Sequence, residues 1–341
     1  MVLVRHSLSG HPARASGIVD LATPLLAADA RGAGSELVAA TAGAVVQPGL
    51  VRERSGLLIN YDFRSAAPTA ALLKDFELNG SAPPSNSSVS VQADGLHVGV
   101  DRHQPGAFEG FFAVTRAAYP ASSVFHVRMS REARNVMSPS QTGEAVFAVQ
   151  TGTTKRTGDI NYVLVASVTN AGSTYWEVGY AEGHLADATT TILWTGPPSP
   201  TGPVSEDITL RTDGHSSYVV YFGNRVVYES NRLKMRIVPP FQPYLEVQAL
   251  EIAYESRFQD FWITSDDSIL INGLDQGDLV TLAPATGAPV GALADASGHV
   301  RLGLAPPQAK GNGTLTIVSA GSQRRFAGLL YAGGDVYRLC A

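Results

Sequence analysis

The sequence predicts an all-β protein in which strands pack as a two-layer sandwich. It holds 34 Gly and 20 Pro among its 341 residues, a composition that favours many short strands with frequent turns. From Leu57 onward, strand patterns recur about every 10–15 residues, and no convincing amphipathic helix interrupts them. The clearest run covers residues 208–250 and contains the turn dipeptides Asp213-Gly214 and Gly223-Asn224. Alternating apolar residues around such dipeptides are the strongest short-range signal for antiparallel hairpins.

The run from residue 208 therefore predicts a meander with one face buried and the other in water. After Pro239-Pro240 the alternation resumes over residues 244–249, which predicts a further strand. Strand patterns also precede the meander, at residues 57–63, 89–100 with a turn at Asp94-Gly95, 108–114, 124–129, 144–150, 160–169, 174–180 and 190–194.

The region after the meander predicts one more strand of this sandwich and then a second, smaller β unit. Residues 257–263 form the predicted last strand, and residues 265–268 have the composition of a linker. The strands predicted beyond it are residues 269–274, 278–282, 292–294, 300–304, 314–318 and 333–339.

The closing strands of the first unit show a resemblance to a known fold. A strand, a Gly-Asn turn, residues 225–230 and a long crossover into residues 244–250 resemble the concanavalin-like jelly roll of lectins and glucanases. This resemblance implies that the first and last strands lie side by side, so we expect residues 59–63 to pair with residues 258–263. The second unit resembles small immunoglobulin-like sandwiches.

The predicted domains are an N-terminal arm (1–56), a concanavalin-like jelly roll (57–265) and a small C-terminal β-sandwich (266–341). The arm is rich in Ala, Gly and Ser, and its pattern predicts a short helix over residues 36–46 that is too short to persist alone. Its apolar content, including Ile18 and Leu21, favours an arm that orders against a neighbouring subunit over a disordered tail. We expect a homo-oligomer, a trimer by analogy with virion fibres.

Composition argues against several classes of function. The net charge of −5 gives no reason to expect nucleic-acid binding. No apolar run approaches about 18 residues, so we expect no membrane insertion. No signal peptide is convincing, and the lone Cys340 can form no intrachain disulfide.

A search for catalytic residues predicts no enzyme. The glucanases of the resembling fold carry two glutamates and an aspartate on one strand, and this sequence contains no such run. Glu246 and Glu251 are five residues apart, which would send their side chains to opposite faces, and we interpret them as solvated surface acids. No nucleotide-binding, zinc or nucleophile motif appears.

Aromatic residues supply the candidate binding site. Exposed aromatic rings beside a stiff Pro-rich loop, here residues 195–203, can stack on a sugar ring. The candidates are Tyr175, Trp176, Tyr180 and Trp194. The alternative is that the two tryptophans are core residues, as large aromatic residues in strands mostly are.

The jelly-roll resemblance also implies a structural calcium ion between the ends of the first and last strands. The residues that would supply oxygen ligands are Asp62, Asp260 and Asp266. The alternative is that these are surface acids at strand ends. No other cofactor is expected.

The whole layout resembles minor tail proteins of tailed bacteriophages. Short strings carry this resemblance, at residues 60–63, 94–98, 108–114 and 333–339. It implies a structural component of the virion tail, assembled in the host cytoplasm without a signal peptide. Its partners would be other tail proteins and a host cell-envelope glycan bound during adsorption. Two alternatives remain: a carbohydrate-binding module of a bacterial extracellular protein, and a diverged glycoside hydrolase.

Overall fold

The computed structural model describes residues 44–64, 74–80, 87–101, 109–134, 142–151, 159–170, 173–184, 189–199, 204–250 and 252–340. The expectations for residues 1–43 lie outside these residues. Within the described ranges, no helix has the length and apolar character needed to cross a membrane.

Strands make up nearly all of the regular structure. The strands up to the end of the larger sandwich are β1 (Ala44–Gln47), β2 (Leu50–Arg54), β3 (Leu57–Asp62), β4 (Phe76–Gly80), β5 (Ser87–Gln92), β6 (Gly95–Asp101), β7 (Glu109–Thr115), β8 (Val124–Arg134), β9 (Thr142–Thr151), β10 (Asp159–Asn170), β11 (Ser173–His184), β12 (Thr189–Thr195), β13 (Val204–Thr212), β14 (Tyr218–Phe222), β15 (Arg225–Ser230), β16 (Phe241–Leu250) and β17 (Ala253–Thr264). Those that follow are β18 (Ser268–Asn272), β19 (Leu279–Pro284), β20 (Val290–Leu293), β21 (His299–Gly303), β22 (Lys310–Ser319), β23 (Ser322–Ala332) and β24 (Val336–Leu339).

The larger sandwich packs two antiparallel sheets face to face. One is a seven-stranded sheet in the order β12-β11-β10-β9-β16-β7-β4. The other has the order β15-β14-β13-β8-β17-β6-β5, and β3 joins it beside β17 to make eight strands. This is the jelly-roll sandwich that the sequence predicts, and a smaller β-sandwich accompanies it.

Alternate residues of both sheets point inward and form one hydrophobic core. Aromatic rings fill its centre, where the rings of Phe147 and Phe261 meet edge to face at 6.4 Å between centroids. The described members of this core lie between Ile59 and Ile263. The larger sandwich therefore closes its core without residues of the smaller one.

The predicted pairing of the first and last strands is confirmed. Strand β17 pairs with β3 in a register that sets Asp260 opposite Asp62 and Ile263 opposite Ile59. The other half of β17 pairs with β6 along the same edge. Strand β17 thus joins the start of the jelly roll to its end.

The hairpins β13-β14 and β14-β15 are also confirmed. The strand after Pro239-Pro240 differs from the meander in both location and burial. Strand β16 lies in the opposite sheet, between β9 and β7, and is buried from Phe241 to Ala249. Its polar residues are therefore enclosed, not exposed to water as a half-buried strand would predict.

The smaller sandwich includes part of the chain that the sequence assigned to the N-terminal arm. Its sheets have the orders β1-β2-β24-β18-β21 and β20-β19-β22-β23. Residues 44–46 are strand, so the helix predicted over residues 36–46 is wrong at its described end. Strand β2 pairs with β24, and Leu50 is fully buried in the small core. Long-range pairing supplies this structure, which is why the local sequence pattern did not indicate it.

A buried carboxylate ties this N-terminal segment to the chain end. Asp335 is 1% exposed and accepts hydrogen bonds from the Gly56 N–H at 2.7 Å and the Tyr337 hydroxyl at 2.6 Å. The Arg52 guanidinium lies 3.3 Å from the same carboxylate. A Cβ atom on Gly56 would come 2.1 Å from the carbonyl oxygen of Gly333, so only glycine fits at this crossing.

Deleting residues 1–54 should destabilise the small sandwich more than deleting residues 1–43 does. The longer deletion removes β1 and β2, so β24 loses one neighbour and the core loses Leu50. Loss of that leucine alone should lower the free energy of unfolding by about 2 kcal/mol. Scanning calorimetry of the two deletion variants tests this, and identical unfolding profiles would contradict it.

Candidate functional site

The candidate site is the outer face of the seven-stranded sheet, the face turned away from the second sheet. Strand register places its polar side chains in neighbouring rows. Glu144 lies opposite Gln248, and Glu246 lies opposite Val146. Val146 is followed in the same row by Ala166 on β10 and Glu177 on β11. We call Glu144, Gln150, Glu177, Glu246 and Gln248 the outer-face polar cluster.

The two-residue period of β9 places its members of this cluster. Phe147 and Val149 point into the core between the sheets, so Glu144 and Gln150 must point to the outer face. Strand β16 follows the same rule, with Leu245, Val247 and Ala249 in the core and Gln242, Tyr244, Glu246 and Gln248 on the outer face.

Most of the cluster is enclosed. Glu144 is 3% exposed, Glu246 1% and Gln248 2%. Among the described residues, Glu144 Oε2, Gln150 Nε2 and Gln248 Nε2 are buried without a hydrogen-bond partner. Buried polar atoms are nearly always paired in folded proteins, so three unpaired atoms on one sheet face call for an explanation.

Burial changes the protonation of two of these carboxyl groups. Burial raises the pKa of Glu144 to about 8, and the nearby Glu177 and Glu246 carboxylates raise it further in the same direction. Burial also raises the pKa of Glu177 to about 7. At neutral pH the Glu144 carboxyl is therefore mostly protonated, and it can donate a hydrogen bond as well as accept one.

Small apolar residues and aromatic rings complete the face. Val146 and Ala166 lie in one row between Glu246 and Glu177, and Ala148 lies in the next row along β9. Beside them, the ring of Tyr244 packs edge to face on Tyr162, with 5.8 Å between the ring centroids, and Phe112 packs on the other side of Tyr244. Carboxyl and amide groups around an apolar floor with aromatic walls are suited to a ligand that has both hydroxyl groups and apolar faces.

The structure does not bring the four predicted sugar-binding aromatic residues together. Trp176 is 5% exposed and points into the core, where its ring lies 5.3 Å from that of Phe222. Trp194 also contacts Phe222, at 5.9 Å, and Tyr180 packs against the same core. Only Tyr175 lies on the outer face, because it is out of phase with Trp176 along β11. Trp176 is therefore a core residue and Trp194 is partly buried against the same core, so the two tryptophans do not form one exposed platform. Sugar binding by the four aromatic residues stays a prediction.

The interpretation of Glu246 as a solvated acid is also wrong, since its side chain is buried on the outer face. Glu251 lies outside the described residues. Sequence reasoning missed Glu144 and Glu177 because it looked for acids on one strand, whereas the cluster draws on three. The usable signal was that Glu144 and Gln150 lie an even number of residues apart in an otherwise apolar strand, which places both on the same face.

The three aspartates proposed for calcium do not fit a metal ion. Each carboxylate has a basic partner instead: Arg64 for Asp62, Lys310 for Asp260 and Arg301 for Asp266. Asp266 also accepts hydrogen bonds from the Asp267 N–H and the Ser268 hydroxyl. No group of three or more His, Cys, Asp or Glu side chains in the described part of the chain could hold a metal ion.

Comparisons with known proteins give a similar fold only. No family model matches the sequence, and no curated protein matches it. An endo-acting O-glycanase of the human gut microbiota is 9% identical with a TM-score of 0.43, covering 61% of this chain and 99% of the glycanase. The carbohydrate recognition domain of Emp46p is 10% identical with a TM-score of 0.40, covering 60% of this chain and 95% of that domain. A galectin-like protein of unknown function from Bacillus subtilis is 11% identical with a TM-score of 0.38, covering 63% of this chain and 98% of that protein. Likeness at this level establishes no common function.

Stability should fall as pH rises through the range set by Glu144. Below its ordinary pKa of 4.5, the carboxyl group is protonated in both the folded and the unfolded chain, so its ionisation does not change the free energy of unfolding. Between 4.5 and about 8, it ionises in the unfolded chain while the folded chain keeps it neutral, so folding loses free energy. The loss is on the order of 5 kcal/mol above that range.

Glu144→Gln removes the ionisable group and should therefore stabilise the protein selectively at alkaline pH. Urea unfolding at about pH 5 and about pH 8.5 measures this difference. Glu229→Gln, at an exposed glutamate, is the matched control. If wild type and Glu144→Gln lose stability in parallel, Glu144 is not buried as a neutral acid.

Proposed function

We propose that this chain binds a carbohydrate on the outer face of the seven-stranded sheet. The observation that carries the proposal is the set of buried, unpaired polar atoms on Glu144, Gln150 and Gln248. Sugar hydroxyls both donate and accept hydrogen bonds. Glu144 and Gln248 lie opposite each other, whereas Gln150 lies six residues along β9, roughly 20 Å away, so an oligosaccharide is the ligand of this class that could satisfy all three groups. The apolar faces of a pyranose ring would lie against Val146, Ala148 and Ala166.

The closure of this face affects how such a ligand would bind. The cluster members Glu144, Glu246 and Gln248 are at most 3% exposed, so a glycan reaches them only if the chain opens. Opening before binding slows association. We therefore expect slow association together with slow dissociation.

Glycan binding can be measured with immobilised laminarin, galactan, mucin and polygalacturonate by biolayer interferometry. We expect at least one to bind. Gln248→Ala should weaken that binding by about tenfold, since a buried hydrogen bond to a neutral group contributes on the order of 1.5 kcal/mol. Glu229→Gln, an exposed site on the edge strand β15, should leave the affinity unchanged.

Two results would overturn the proposal. One is that none of these glycans binds. The other is that a glycan binds with equal affinity to wild type and to Gln248→Ala. In either case, a gain in stability on Glu144→Leu would mark the cluster as a purely structural feature, because replacing unpaired buried polar groups by apolar ones is often stabilising.

Glycoside hydrolysis is a second candidate, favoured by the raised pKa values of Glu144 and Glu177. A neutral carboxyl group beside other carboxylates is the arrangement that glycosidases use for acid–base catalysis. The sequence argument against an enzyme depended on finding these acids on one strand, and the sheet assembles them from three. Assay of the same glycans for released reducing ends decides the question: loss of release in Glu144→Gln with binding retained supports hydrolysis, and no release from any glycan excludes it for those substrates.

We also propose that the chain is a component of a phage tail and forms a homo-oligomer, a trimer by analogy with virion fibres. The layout and the short sequence strings described above support this role. Sedimentation of lysates from the producing cells tests it, because a tail protein should move with intact particles. A chain found only in the fraction free of particles, and monomeric by light scattering, would contradict the proposal.

A further inference from the structure

A stripe of basic side chains lies on the segment that joins β15 to β16 at one end of the sandwich. Arg232, Lys234 and Arg236 are exposed, whereas the residues between and after them point inward. Met235 and Ile237 are each 1% exposed and belong to the main core. This alternation sets the three basic groups on one side of an extended backbone.

Hydrogen bonds hold the segment in place on both sides. The N–H groups of Leu233, Met235 and Ile237 donate to the carbonyl oxygens of Ser216, His215 and Gly214, at 3.1, 2.8 and 2.9 Å. On the other side, the Arg236 N–H donates to the Glu182 carboxylate, and the Val238 N–H donates to Thr151 Oγ1 at 2.9 Å. The stripe is therefore fixed to the ends of β9 and β11, two strands of the outer-face sheet.

A cavity of about 690 Å³ opens beside the stripe. Its lining includes the apolar side chains of Met235 and Ile237 and the basic side chains of Lys234 and Arg236, with Asp213 and His215 beside them. A cavity with apolar and basic side chains in its lining is suited to a ligand that has both apolar surface and negative charge.

Two carboxylates, those of Asp213 and Glu182, lie near the three cations of the stripe. Among the described residues, none of Arg232, Lys234 and Arg236 has an ion-pair partner. Asp213 accepts hydrogen bonds from the N–H groups of residues 215–217 in its own turn, and Glu182 accepts one from the Arg236 N–H, so both carboxylates are fixed by backbone groups and not by the basic side chains. The stripe therefore presents three cations that have no ion-pair partner among the described residues, on a chain whose net charge is −5.

We propose that this basic stripe, Arg232, Lys234 and Arg236, binds the acidic groups of a glycan whose chain also occupies the outer face. The inference rests on the proposed function and names its ligand class, an acidic polysaccharide. Alternate residues of an extended segment are roughly 6.6 Å apart, so the stripe spans roughly 13 Å. This length fits acidic groups carried on neighbouring sugar units. The contact of the segment with β9 and β11 favours a glycan over nucleic acid, which the net negative charge also disfavours.

Polygalacturonate and its fully methyl-esterified form are a matched pair of probes, with the same sugar backbone and with or without charge. We expect wild type to bind the acidic form more tightly at low salt. Lys234→Gln/Arg236→Gln should lower that affinity by roughly tenfold, which is within the free energy that two exposed ion pairs contribute. The affinity for the ester should not change. Raised salt should weaken the acidic form alone.

The control variant Arg324→Gln/Arg325→Gln removes the same amount of charge from the small sandwich. It should bind both polysaccharides with the affinity of wild type. Circular dichroism confirms that each variant is folded. Equal binding of polygalacturonate by wild type and the stripe variant, or no binding of it by wild type, overturns this inference. Tighter, stripe-dependent binding of oligothymidylate would also overturn it in favour of nucleic acid. Failure of the proposed function is distinguishable, because it is read from Gln248→Ala on the outer face.

Discussion

The two-residue period of an antiparallel strand is the constraint on which this structure depends. Strands β9, β10, β11 and β16 each turn one set of side chains into the core between the sheets, where Phe147 and Leu245 are fully buried. The remaining side chains of these strands point to the opposite side of the sheet and therefore line the outer face. Matched register then sets Glu144 beside Gln248, with Glu246 two residues along the neighbouring strand. The site is thus a consequence of how the core is packed.

This arrangement is unfavourable for stability, and that cost is itself informative. A buried carboxylate is strongly destabilised, so Glu144 stays protonated near neutral pH, and burial raises its pKa to about 8. Unpaired amide groups on Gln150 and Gln248 add to the cost. Strongly shifted carboxyl groups together with unsatisfied polar atoms are typical of functional sites.

The sequence predicted those features that depend on neighbouring residues. Alternation and turn dipeptides located the strands of the hairpins, and the jelly-roll resemblance implied the pairing of β3 with β17. It failed where distant segments meet. Strands β1 and β2 were assigned to an arm because β24, the strand that joins β2 to the small sandwich, lies at the other end of the chain. The glutamates were missed for the same reason, since Glu144 and Glu246 become neighbours only through the pairing of β9 with β16. Residue type also does not reveal which face of β11 is buried, so the sequence could not separate Trp176 on the core side from Tyr175 on the outer face.

The proposed function requires that Glu144 on the outer face is a neutral carboxylic acid and that a bound glycan contacts it. Carbon-13 NMR of protein labelled at the glutamate carboxyl groups measures it directly, with Glu144→Gln identifying the resonance. We expect one carboxyl resonance with a titration midpoint near pH 8 that is absent from Glu144→Gln. Its midpoint should change when a polysaccharide binds. A Glu144 resonance whose titration midpoint lies near the ordinary pKa of 4.5, and does not change when a glycan binds, would contradict the proposed function.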